Sequence, residues 1–233
     1  MKRWALVGLL AAAAAHADDG DPAKARAALA IIDQTAPPFG AAAGRARVPA
    51  VGGVTSVGEP WHGELVGGAK LEAGPGYTIE RPQRAYGAPH VLAYLRATIG
   101  EVRALYPDVP ALPIWDLSAE HGGKISDHRS HQSGLDVDLG YYVARGGLDL
   151  EATWALLVAF ARTADRPDGV EMIFLDYELQ HRLYAWARAR GTPDAALAFV
   201  LQYPRGRAEL AGLVRHWPGH ADHLHVRFKP ATR

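Results

Sequence analysis

Two stretches decide the reading of this chain: His128-Arg-Ser-His131-Gln-Ser-Gly-Leu-Asp136-Val-Asp138 and His220-Ala-Asp-His223-Leu-His225-Val-Arg-Phe228. Each joins a loop to a run in which apolar and polar residues alternate. From Gly134 to Tyr141, Leu135, Val137 and Leu139 fall on one side, and Asp136 and Asp138 on the other. From His223 to Phe228, Leu224, Val226 and Phe228 oppose His223, His225 and Arg227. Successive side chains of a strand point to opposite faces, so each run predicts a strand with one core face and one polar face. If the two strands are neighbours, their polar faces coincide. His131, an aspartate, His223 and His225 then converge on one patch.

The pattern around these runs sets the fold class. Leu112 to Leu117 and Val170 to Leu175 read as further strands. Helical spacing of apolar residues marks Pro89 to Tyr106, with Pro89 suited to the first turn. Leu150 to Ala164 follows Asp149 as an N-cap, and Tyr177 to Arg190 follows Asp176 and stops at Gly191. Thr192-Pro193-Asp194 opens a short fourth helix to about Tyr203. One-sided alternation favours an antiparallel sheet with helices on one face and the histidine site on the other. The expected class is therefore α+β. Dense Gly and Pro from Thr55 to Gly76 predict a loop-rich N-terminal half.

Composition narrows the chemistry. The chain has 233 residues, with 25 Lys+Arg against 25 Asp+Glu, so it carries no basic footprint for nucleic acid. It has no cysteine, which excludes disulfides, a thiol nucleophile and thiolate metal ligands. Any metal must be held by His and carboxylates. Lys2-Arg3, the apolar run Trp4 to Ala15, and Ala15-His16-Ala17 read as an export signal over residues 1–17. The run is too short for a spanning helix, which needs about 20 apolar residues. An Ala/Pro/Gly-rich arm over residues 18–54, with one helical patch near Ala25 to Asp33, leads into a single domain over 55–233.

The converging patch suits zinc. Zinc takes nitrogen and oxygen donors in tetrahedral array, and a catalytic site keeps one position for water. Two histidines and one carboxylate leave that position open. Asp136 and Asp138 share a face, so alternation alone does not choose between them. No Gly-x-Ser-x-Gly elbow surrounds Ser130, which removes a serine hydrolase.

The two motifs resemble those of the penicillin-insensitive murein endopeptidases. That family belongs with the lysostaphin-type endopeptidases, the D-Ala-D-Ala metallopeptidases and the Hedgehog signalling domain. The shared pattern is His-x6-Asp followed later by His-x-His. The resemblance runs from about Thr55 to Phe228, and also includes Gly63-Glu-Leu-Val-Gly-Gly68 and Arg84-Ala-Tyr-Gly87. It implies that His131, Asp138 and His225 bind Zn2+, that His223 and His220 are catalytic, and that His128 lies near the metal. It further implies a periplasmic enzyme that cuts D-alanyl-meso-diaminopimelyl cross-links between peptidoglycan stem peptides.

Two other readings share these residues. One is a zinc D,D-carboxypeptidase, with Arg215 as a candidate for the free carboxylate. The other is a non-catalytic zinc-containing module that binds peptidoglycan. His121, His216 and Trp217 are candidates for the cleft, and Arg227 for holding a neighbour in place. Asp136 is either a partner of a ligand histidine or a plain exposed carboxylate. His62, His90 and His181 read as structural, with His181 partly buried on its helix.

Overall fold

The computed structural model describes residues 55–144 and 147–231, together with residues 26, 27 and 30. The export signal and nearly all of the arm lie outside the described residues. Five short strands come first: β1 (Ser56–Glu59), β2 (His62–Leu65), β3 (Ala69–Lys70), β4 (Tyr77–Ile79) and β5 (Tyr86–Gly87). Then follow α1 (Pro89–Leu105), β6 (Leu112–Ile114), β7 (Asp136–Leu139), β8 (Val143–Ala144), β9 (Gly147–Leu148) and α2 (Leu150–Ala161). The described chain finishes with β10 (Val170–Phe174), α3 (Tyr177–Ala189), α4 (Asp194–Val200), β11 (Val214–Arg215) and β12 (Leu224–Phe228).

The helices begin where their caps dictate. Asp149 accepts the Ala152 N–H at 3.0 Å and opens α2. Asp176 accepts the Glu178 N–H at 2.9 Å and opens α3. Pro89 is at the start of α1, whose missing N–H costs nothing there. Every residue of α2 from Ala152 to Ala161 is buried, so this helix is apolar all round and runs through the core.

Six strands form the central sheet in the order β11-β10-β12-β7-β6-β4. The sheet is mixed, which corrects the antiparallel expectation. β10 pairs with β12, β12 with β7, and β7 with β6, all antiparallel. β4 and β6 are parallel, as are β10 and β11. Both parallel pairs are joined through helices: α1 lies between β4 and β6, and α3 and α4 between β10 and β11. Parallel neighbours need such a crossover. β4 has three residues and β11 has two, too few to show a period in the sequence.

The apolar faces of the central strands meet the helices. Phe228 packs against Tyr94 of α1, ring centroids 5.8 Å apart, and against Phe160 of α2 at 6.1 Å. Cutting Phe228 back to Ala would cost about 3–5 kcal/mol. The other face is polar, yet it is also buried. Asp136, Asp138, His225 and Arg227 are between 0% and 8% exposed. The loop before β7 and the β1–β2 hairpin cover it. Gln132 N–H donates to the Pro60 carbonyl, and Gly123 N–H to the Gly63 carbonyl.

Candidate metal centre

The register of β7 and β12 assembles the site. Asp138 stands directly opposite His225, and Asp136 directly opposite Arg227. Directly opposed residues of an antiparallel pair share a face, about 4.5–5.5 Å apart at Cβ. The two facing pairs therefore sit side by side on the buried polar face, but their chemistry differs.

Asp136 is fully engaged. Arg227 donates to it through Nε at 2.7 Å and Nη2 at 3.1 Å, a two-pronged ion pair. The His131 backbone N–H also donates to its Oδ2 at 3.0 Å. Burial would raise the Asp136 carboxyl, but the charges of His225 and Arg227 hold it well below the usual carboxylate range. Trp61, at the tip of the hairpin, stacks on the Arg227 guanidinium at 5.5 Å.

Asp138 has a different company. Its ionisable partners within 4 Å among the described residues are four histidines, and no arginine or lysine. His225 Nδ1 lies 2.9 Å from Oδ1, and His131 Nε2 lies 3.3 Å from Oδ2. His128 Nδ1 is 3.5 Å from Oδ2, and His223 Nε2 is 3.8 Å from Oδ1. Burial opposes ionisation of Asp138, but His131 and His225 keep it well below the usual range. A buried carboxylate whose surroundings are ring nitrogens calls for a positive charge. His225 supplies one: burial lowers it, but Asp136 and Asp138 outweigh that and raise it to about 9.

The tautomer of His131 follows from its partner. The Leu117 carbonyl, which can only accept, lies 2.6 Å from His131 Nδ1, so Nδ1 carries the proton. Nε2 is then the lone-pair nitrogen. It is buried and has no hydrogen-bond partner. The backbone of His131 is at φ +68°, in the left-handed region, where a non-glycine residue is strained by about 1–3 kcal/mol. The bonds to Asp136 and Leu117 hold it there. Gly134, three residues on, has φ +70°, and a Cβ there would approach a Leu65 methyl to 2.7 Å. The motif needs glycine at that turn.

His225 Nε2 lies 3.3 Å from Asp136 Oδ1. This is a charge contact without a hydrogen bond, on the far nitrogen of the ring whose near nitrogen faces Asp138. Two groups of side chains come close enough together to hold a cation: His128, His131 and Asp138, and His131, Asp136 and His225. His131 is common to both.

The remaining candidates fall at different distances from this centre. His220 and His223 line its mouth, rings 4.8 Å apart, with Tyr141 donating to the His223 carbonyl at 2.9 Å. Burial first, then the neighbouring His225 and His223, lower His220 to about 4. Trp115 packs on the His223 ring at 5.3 Å, and Phe174 carries Trp217 and His220. Trp217 is half exposed at the rim. His216 is turned to the start of α3, where its Nδ1 accepts the Tyr177 N–H at 3.1 Å. Arg215 is on β11, with β10 and β12 between it and the strand of Asp138, and donates to the Gly212 carbonyl. His121 and His62 are exposed. His90 is buried and bonded to the Lys229 carbonyl. His181 is exposed rather than partly buried, and stacks on Tyr203 at 4.8 Å.

Asp116 escaped the sequence reading. It is buried and accepts from His128 Nε2 at 2.9 Å and from Arg81 and Arg84. A charged residue inside the apolar run Leu112 to Leu117 was its signal.

Known proteins share this sequence. A family model described as penicillin-insensitive murein endopeptidase matches residues 56–155. A curated relative of that name from Haemophilus influenzae is 25% identical over 194 residues, which covers 76% of this chain and 64% of the relative. Over these stretches the chain is similar to penicillin-insensitive murein endopeptidases. It spans somewhat under two thirds of the length of the curated murein endopeptidase it matches. The family match includes His128, His131 and Asp138, and ends before His220, His223 and His225. Among the described residues, no helix is long and apolar enough to cross a membrane.

Proposed function

We propose that this chain is an exported zinc-dependent murein endopeptidase that hydrolyses D-alanyl-meso-diaminopimelyl cross-links of peptidoglycan. The observation that carries the reading is the environment of Asp138, a buried carboxylate ringed by histidines while its neighbour Asp136 is occupied by Arg227. In this reading His131 through Nε2, Asp138, and His225 through Nδ1 hold the metal, with the Asp136 charge beside His225. The orphaned, buried His131 Nε2 fits such a ligand. Zinc bound there would supply Lewis acidity, lowering the pKa of a water to roughly 7 and polarising the scissile carbonyl.

The chain's own residues handle the protons. His220, held near 4, stays neutral at pH 7 and accepts a hydrogen bond through the nitrogen not facing the Trp217 and Pro218 carbonyls. His223 takes a proton from the attacking water through Nε2. The water oxygen bonds to the carbonyl carbon, the C–N bond breaks, and His223 returns the proton to the departing amine. No side chain becomes acylated. Trp115 packs on the His223 ring and Trp217 on Phe174 beside it, which gives the mouth aromatic walls. The apolar segment before Ala15-His16-Ala17 and the cell-wall substrate named for the curated relative support export.

Digestion of purified peptidoglycan by wild type and His223→Ala, with zinc content measured and products identified by mass spectrometry, tests this. The expected outcome is one zinc in both proteins and cleaved cross-links with the wild type alone. Loss of zinc from His223→Ala would reverse the assignment of ligand and proton acceptor. A covalent penicilloyl adduct would refute the mechanism, since there is no acyl-accepting nucleophile in it.

A further inference from the structure

His223 has two ring nitrogens with different surroundings. Nε2 faces the buried centre, 3.8 Å from Asp138 Oδ1. Nδ1 faces outward, 2.7 Å from Asp222 Oδ1. Asp222 is its sequence neighbour, with a side chain 73% exposed against 15% for His223. An ionised carboxylate can only accept, so a bond at this distance places the proton on Nδ1 and leaves the lone pair on Nε2. Asp138 Oδ1, at 3.8 Å from Nε2, is beyond hydrogen-bond reach, so the 2.7 Å bond at Nδ1 is the one that selects the tautomer. Trp115 contacts the ring by its face, and Tyr141 holds the backbone carbonyl.

We propose that Asp222 is a positioning residue for His223: it accepts the Nδ1 proton and so keeps Nε2 as the proton acceptor turned to the site. This rests on the endopeptidase reading and deepens it. The role matters in two ways. A free imidazole divides its proton between both nitrogens, so a fraction of molecules would present N–H, not a lone pair, to the water. After proton transfer the ring is an imidazolium, and Asp222 stabilises that charge at its far side. The same logic governs histidine–carboxylate pairs in other hydrolases, where the partner sets tautomer and orientation. Here the partner is solvent-exposed, which makes its effect smaller than that of a buried one.

The placement also separates Asp222 from the other carboxylates of the centre. Asp136 acts on His225, and Asp116 on His128, both from buried positions. Asp222 acts from the rim on a histidine outside the proposed ligand set. Its loss should leave metal binding intact.

The test uses the full chain with ring-15N histidine. Long-range 1H–15N spectra of wild type, Asp222→Ala, Asp222→Asn and the control Asp108→Asn, an exposed acid in the turn after α1, report the His223 tautomer, without and with zinc. Steady-state cleavage of cross-linked muropeptides and zinc stoichiometry accompany them. Expected in wild type is a single Nδ1–H tautomer. Expected in Asp222→Ala is a mixture, with kcat down about tenfold or more, KM and zinc content unchanged. Asp222→Asn, whose amide oxygen still accepts, should recover most of both. An Nε2–H tautomer in wild type, or unchanged tautomer and kcat in Asp222→Ala, would overturn the proposal. Absence of cleavage by zinc-loaded wild type would sink the endopeptidase reading alone, and the tautomer would still decide the role of Asp222.

Discussion

Asp136–Arg227 and Asp138–His225 are neighbouring pairs on the same two strands and the same face. Both are buried, and each sets an acid against a base. Yet the first is closed and the second open. Arg227 saturates Asp136 with two parallel donors, and the His131 N–H takes a third position. Asp138 is left with ring nitrogens, each of which can give up its proton. A shift of two positions along a strand thus separates a structural ion pair from a site that can accept a cation. The two pairs are also in electrostatic contact, with His225 Nε2 3.3 Å from Asp136 Oδ1.

The strongest attempt to break that comparison is Asp138→Asn. It should abolish zinc binding at micromolar metal and lower hydrolysis by about a thousandfold or more, the scale of losing a charge stabiliser in a water-excluded site. Thermal unfolding of the metal-free protein should change little. If Asp138→Asn binds zinc like wild type, the open pair has been misidentified. Arg227→Met attacks the closed pair. It strands the Asp136 charge and should destabilise the fold by about 3–5 kcal/mol, on the order of 10 °C in Tm. An unchanged Tm with lost zinc would erase the distinction between the pairs.

Metal removal tests whether the open pair contributes to stability only when filled. Chelation should lower Tm, and zinc at 100 times its Kd should restore about 2.7 kcal/mol. Asp138→Asn should show neither response. The smallest effect concerns a histidine outside both pairs. Burial, outweighing the Lys229 carbonyl and Asp168, lowers His90 below 6.5. His90 is therefore neutral in the fold, while the unfolded chain takes up a proton below that value. Stability then falls as pH drops from 6.5 to the folded pKa, and levels off beneath it. His90→Gln should flatten that slope without altering zinc content. An identical slope in the variant would place the proton uptake elsewhere.

Much of this was legible in the chain itself. Period-two alternation put Asp136 and Asp138 on one face, and His225 and Arg227 on another, before any pairing was known. It could not choose between the aspartates. That choice turns on Arg227, 91 residues from Asp136, and depends on register rather than local pattern. Asp222 was invisible for the opposite reason: an exposed acid beside a histidine is common, and only the 2.7 Å bond marks it. The four helices ended within a few residues of their expected limits, because Asp149, Asp176 and Pro89 are local signals. The parallel edges of the sheet were missed, since β4 and β11 are too short to carry a period and their pairing is arranged by helices. His216 shared its stretch with the site histidines, yet its bond to the Tyr177 N–H commits it to α3.

β12 comes last of the strands in the chain but lies in the middle of the sheet, between β10 and β7. Everything before it must leave a slot, with β7 lacking its partner on that side until the strand arrives. The strand that fills the slot brings His225 and Arg227 with it, and draws His220 and His223 to the mouth. One strand therefore supplies both the middle of the sheet and a histidine of the candidate site. On the proposed reading, a chain in which this strand has not docked lacks one of its three metal ligands, His225, and its proton acceptor, His223.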